Sequence, residues 1–276
     1  MTNKMRLFIG GLAAVTVVSL FIGLSGKGQT NERQHDGQTI EKQRAIQKRV
    51  HVEDYPLADY DSPESSDSQE RDKRKARNHR YDLSSDIKGA DINRFTIKED
   101  GPDISIPLSV SHPKTEPGIP AAESQAIALG EVISAHAYLS NDKTSVYSEF
   151  TVRVVDVLKN SSAEPLFSGA QITAERSGGR VRFPSGKTLL RGAPYGKNMP
   201  RLGERYVFFL KQNEEGQGYS IITAYQLHSG HIFPLDRSPE ADTKSSQFAE
   251  YEEYAGMDEA IFIDHVRAAI EKVVQK

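Results

Sequence analysis

The sequence predicts a mainly β protein: a small antiparallel barrel with a C-terminal helix, preceded by a disordered spacer and an N-terminal transmembrane helix. Three observations carry this expectation. Residues 7–24 form an apolar run, residues 26–120 are dominated by polar and charged side chains, and from 121 onward apolar residues alternate as they do in strands. The 276-residue chain is only 37% hydrophobic. That deficit concentrates before position 120, and the remainder suffices for one modest core. The expected organisation is an anchor or signal peptide at 1–25, a disordered polar spacer at 26–120, a β-barrel domain at 121–235, and a polar linker with an amphipathic helix at 236–276.

The first element is the stretch LFIGGLAAVTVVSLFIGL, eighteen residues without a charge, preceded by Lys4 and Arg6. As a helix it would extend about 27 Å, close to the hydrocarbon thickness of a bilayer. The positive N-terminus would stay cytoplasmic and leave the rest of the chain on the other side. The run exceeds the apolar core of a typical signal peptide, and Gly23-Leu24-Ser25 is a weak cleavage exit. A single-pass cell-membrane protein with its C-terminal domain extracytoplasmic is therefore expected, and a secreted chain is the alternative. The chain has no cysteine. This excludes disulfides, thiolate zinc sites, a cysteine nucleophile and a lipid-modified cysteine.

The spacer offers too little apolar surface to offset the entropy of ordering it. Residues 39–52 have a weak helical pattern based on Ile40, Ala45, Ile46 and Val50. A basic patch follows, made of Arg71, Lys73, Arg74, Lys75, Arg77 and Arg80 and flanked by Asp59, Asp61, Glu64, Asp67 and Glu70. It reads as a solvated charge run, or else as a contact for anionic lipid or envelope polymer. Net charge is −3 with both signs mixed, and export also argues against a nucleic-acid partner.

Strands are expected at 126–134, 145–159, 170–176, 180–183, 187–191, 204–210, 219–226 and 231–235, separated by glycine turns. In the second strand Phe150, Val152 and Val154 share one face and Glu149, Thr151 and Arg153 the other, with a change of phase near Asp156 that suggests a bulge. The run ERYVFFL is apolar throughout and should be covered on both faces. No helix interrupts the series, so a closed sheet is favoured over a parallel α/β arrangement. At 257–275, Phe262, Val266, Ala269, Ile270 and Val273 recur at helical spacing and should pack on the barrel.

The succession Ile127-Ala128-Leu129-Gly130-Glu131-Val132, Val157-Leu158-Lys159-Asn160, Gly178-Gly179 and Leu202-Gly203-Glu204-Arg205-Tyr206-Val207-Phe208-Phe209-Leu210 resembles an uncharacterised family of bacterial exported or membrane-anchored β-barrel domains. Its barrel is loosely similar to OB-like domains of the netrin type. The resemblance covers 121–235 and implies a fold, not an activity. The inhibitors among netrin-like domains use an N-terminal cysteine and disulfides, which this chain lacks.

Two kinds of site are legible. The span from Arg176 to Arg205 has no acid before Glu204 and carries Arg176, Arg180, Arg182, Lys187, Arg191, Tyr195, Lys197 and Arg201, a composition suited to an anionic ligand. A non-enzymatic module binding an envelope protein or anionic polymer through this basic loop is the favoured reading. The alternative is a secreted hydrolase or metal-dependent enzyme using His228 and His231, with His136, Asp236 or Glu131 as partners. No G-x-S-x-G, P-loop or G-x-G-x-x-G motif is present, and neither a cofactor nor a metal is expected.

Overall fold

A computed structural model of the chain describes residues 52–86, 95–101, 117–160, 165–191, 196–213, 218–236 and 249–275. The apolar run at 7–24, the weak helical pattern at 39–52 apart from its last residue, and Tyr195 lie outside the described residues. No helix among the described residues is long and apolar enough to cross a membrane.

The fold is mainly β. Six strands form one sheet: β2 (Ala126–Leu139), β3 (Val146–Lys159), β4 (Gln171–Ser177), β7 (Arg205–Gln212), β8 (Tyr219–His228) and β9 (His231–Pro234), in the order β4-β3-β2-β7-β8-β9. Neighbours pair antiparallel, and a short parallel pairing of Ala174 with Tyr219 and Glu175 with Ser220 joins β4 to β8. The sheet thereby returns on itself as a ring. Its curvature has a visible cause: the β2–β3 register slips near Val155 and Leu158, flanking the expected phase change, and again between Val132 and Ser134.

Alternation along the strands decides what the ring encloses. Phe150, Val152, Val154, Tyr206, Phe208 and Leu210 fill the inside. Val207 and Phe209 point the other way, beneath Phe262 and Val266 of the C-terminal helix α4 (Glu259–Val274). β7 is thus covered on both faces, as its unbroken apolar run implies. Burial of Phe262 and Val266 contributes about 1.5–3 kcal/mol each. Asp258 caps α4 by accepting from the Ala260 and Ile261 amides.

A second, smaller sheet has the order β1-β5-β6, with β1 (Leu57–Asp59) parallel to β5 (Gly179–Arg182), and β5 antiparallel to β6 (Thr188–Arg191). β1 and the helices α1 (Ser68–His79) and α2 (Leu83–Asp86) fall within the stretch expected to be a disordered spacer. Residues 52–86 and 95–101 are instead folded against the β-sheets: Ala58 and Ile97 are buried with Ala137, Val146, Val181 and Phe183. A last short helix, α3 (Ala249–Glu252), brings buried Tyr251 to the cluster under α4.

Candidate binding face

On the outer surface of β3 and β4, Glu149 and Glu175 are directly opposed in register. Like charges so placed repel, and both are buried, at 8% and 2% exposure. Burial pushes the Glu175 carboxyl above its ordinary value, and the neighbouring Glu149 adds to the effect. Beside them, Tyr138 of β2 faces Tyr147 of β3. Two carboxylates and two phenols therefore share one patch of sheet.

The patch is covered by α1. Asp67 starts this helix by accepting from the Gln69 and Glu70 amides. Helical spacing then divides the basic patch between two sides. Arg71, Lys73 and Lys75 pair with Glu64 and Glu70 on the exposed side, while Arg74, Arg77 and Arg80 turn to the sheet. Arg74 places its two Nη atoms 2.5 and 3.1 Å from the Glu149 oxygens, and Arg77 lies 3.4 and 3.5 Å from the same pair. Arg80 donates from Nη2 to both oxygens of Glu175 at 2.7 and 2.9 Å, and Asn213 adds a bond of 2.6 Å.

Aromatic contacts complete the cover. The Arg74 guanidinium sits 3.5 Å from the Tyr138 ring centroid. Tyr81 stacks on Tyr147 with centroids 4.1 Å apart and planes within 5°. The Tyr147 hydroxyl donates to Asn78 at 2.7 Å and accepts from Arg74 at 3.0 Å. Burial raises both the Tyr81 and Tyr147 hydroxyl pKa values, so both phenols stay neutral. Burial works against the Arg74 charge, but Glu149 outweighs it and holds the guanidinium above its ordinary pKa. A cleft of about 270 Å³ opens beside the patch, lined by Tyr81, Glu175, Arg176, Ser177, Lys197 and Ser220 among others.

The basic span that begins at the end of β4 has its cations engaged within the chain. Arg176 is buried and forks Asp236 at 2.8 and 2.6 Å, with Lys197 3.4 Å from the same carboxylate. Arg180 donates to the Tyr55 carbonyl at 2.9 Å, Arg182 to Asp59 at 2.6 and 3.0 Å, and Lys187 to the Glu99 carbonyl at 2.6 Å. Arg201 pairs with Asp54 at 2.9 Å, and Arg191 is half-buried at the end of β6, opposite Gly179. Apart from Asp236, these partners come from residues 54–99. The span has no acids of its own because the preceding segment supplies much of its counter-charge.

The histidines are not drawn into one site with the acids named for them. His228 and His231 face each other across the Ser229–Gly230 turn, whereas His136 stands opposite Glu149 on another part of the sheet. Asp236 is held by Arg176 and Lys197, and Glu131 by Arg153. Among the described residues, no three His, Asp or Glu side chains are grouped to hold a metal ion. Glu149, Glu175, Tyr138 and Tyr147 were missed as site residues. The available signal was the outward phase of Glu149 in a strand whose other face is apolar.

No protein-family model matches the chain, and a search of curated proteins finds no similar sequence.

Proposed function

We propose that the chain is a non-enzymatic interaction module, held on the outer side of a membrane by its apolar N-terminal run, and that its ligand is cationic. The five ring strands β2, β3, β4, β8 and β7 form an OB-like barrel in this reading. Barrels of that kind take ligands on the face of their second and third strands, which here are β3 and β4. The observation that carries the proposal is the buried opposition of Glu149 and Glu175 on that face. Opposed buried carboxylates demand a cation, and the adjacent tyrosines favour a guanidinium over an ammonium.

The basic span from Arg176 to Arg201 supports an anionic ligand less well: its cations are held by Asp236 and by the anchored segment before α1, whereas the acidic face is covered by a helix that buries no residue of its own. The test is calorimetry of the full chain in non-ionic detergent against an arginine-rich peptide and against a polyanion such as heparin. Binding of the peptide, lost in Glu149→Gln/Glu175→Gln, is the expected result. Binding of the polyanion alone, lost in Arg180→Ala/Arg182→Ala/Arg191→Ala, would assign the ligand site to the basic span instead.

A further inference from the structure

We propose that α1 is a self-ligand: a strap that occupies the acidic face in cis and is exchanged for a partner protein's helix presenting arginines at the spacing of Arg74, Arg77 and Arg80. This rests on the reading of that face as a binding surface and names its partner and its regulation.

The strap is unevenly fastened. Before α1, Ala58 is buried in an apolar cluster and the Tyr60 amide donates to the Arg182 carbonyl at 2.9 Å. After it, Asp82 accepts from the Asp142 amide at 3.0 Å, and Ile97 is buried with its amide donating to the Lys143 carbonyl at 2.9 Å. Between these anchors, α1 itself contributes no buried residue. It is held by the guanidinium groups of Arg74, Arg77 and its C-cap Arg80, the first of them over the Tyr138 ring, by Asn78, and by the Lys75 carbonyl, which accepts from Asn141. Such an element can leave without exposing an apolar surface of its own, because water replaces what it loses. The face it leaves cannot stay empty at low energetic cost, because Glu149 and Glu175 would then confront each other without a cation. A departing strap thus calls for an incoming cation of the same kind.

The chemistry selects the occupant. Arg74 meets Glu149 with two nitrogens while lying over the Tyr138 ring, a geometry a planar guanidinium satisfies and a lysine ammonium does not. Spacings of three residues between Arg74, Arg77 and Arg80 put the groups on one helix face. The partner competes with a strap tethered at both ends, so its apparent affinity scales with the fraction of chains whose strap is open.

The experiment uses the full chain in non-ionic detergent. The probes are a capped helical peptide with arginines at i, i+3 and i+6 and its lysine counterpart. Binding is read by anisotropy, and the strap by hydrogen exchange of residues 68–79. The arginine peptide is expected to bind, to speed exchange in 68–79 while the β-strand amides stay protected, and to bind about tenfold more tightly than the lysine peptide. Arg74→Gln/Arg77→Gln, which loosens the strap but leaves Glu149 and Glu175 in place, should bind it about tenfold more tightly than the unaltered chain. Retained β-strand protection in that variant checks its fold. Equal binding by variant and unaltered chain, with no change of exchange in 68–79, would overturn the strap while leaving the acidic face as a binding surface. No binding by either would overturn both. Concentration-dependent dimers of the loosened variant, with 68–79 still protected, would assign the face to a second copy and overturn the partner.

Discussion

Glu149 and Glu175 stand directly opposite one another on neighbouring strands, both buried, and each is met by an arginine of a helix or its C-cap, 75 and 95 residues earlier in the chain. Neither carboxylate is explained by the strands alone. The relationship makes the outer face of the sheet depend on the segment that precedes it.

The first consequence concerns Arg80. Arg80→Met leaves Glu175 with Asn213 as its remaining close donor, and loss of one partner of a buried pair should cost about 3 kcal/mol. Adding Glu175→Gln removes the stranded charge and should recover all but about 1 kcal/mol. Urea denaturation of the single and double variants measures both values. Strictly additive losses would show that the stranded carboxylate is not the source.

Asp236 should matter more than any exposed ion pair. It is fully buried and holds both Arg176 and Lys197. Asp236→Ala strands a buried guanidinium and should lower stability by about 3–5 kcal/mol. Arg182→Ala breaks only the exposed pair with Asp59 and should leave the urea midpoint unchanged.

A pH effect follows from Asp142. Partial burial works against its charge. Hydrogen bonds from Thr144, Ser84 and Ser140 outweigh that and depress its pKa from 3.8 to about 2. A depressed acid stabilises the fold above its unfolded pKa and loses that contribution as pH falls through the folded one. Allowing for screening at this partly exposed turn, the contribution is about 1 kcal/mol. The stability gap between the unaltered chain and Asp142→Asn should therefore be full at pH 5 and close as pH approaches 2. A gap that persists unchanged at pH 2 would contradict the assignment.

Ring closure should be sensitive at Gly218. Its φ of +117° lies in the left-handed region, and a Cβ there would stand 2.7 Å from the Thr173 carbonyl oxygen, beside the β4–β8 junction. Gly218→Ala should cost about 1–3 kcal/mol and speed hydrogen exchange in β4 before β2.

The β-strands and α4 were legible because their apolar residues carry the periods of their own elements. Phe150, Val152 and Val154 mark the inside of the ring, and Phe262 and Val266 mark the buried side of α4. α1 was illegible for the converse reason. It buries no side chain, so no apolar stripe announces it, and its partners lie on strands far away in sequence. Local composition describes 68–79 as a solvated charge run, and Arg71, Lys73 and Lys75 are that. The acid-free span from Arg176 to Arg201 was visible as an anomaly, but its explanation depended on the Asp54 and Asp59 carboxylates and the Tyr55 and Glu99 carbonyls in a stretch read as spacer. Charge complementarity between distant segments leaves no local period to read.

The measurement that bears most directly on the central claim is hydrogen exchange of the full chain across a salt series from 50 mM to 1 M. If charge holds α1 to the acidic face, protection of residues 68–79 should fall progressively with salt while β3, β4 and β7 remain protected. Protection of 68–79 that does not change with salt, or that falls only together with the strands, would mean that the helix is an ordinary part of the core and that the face beneath it is not a binding surface.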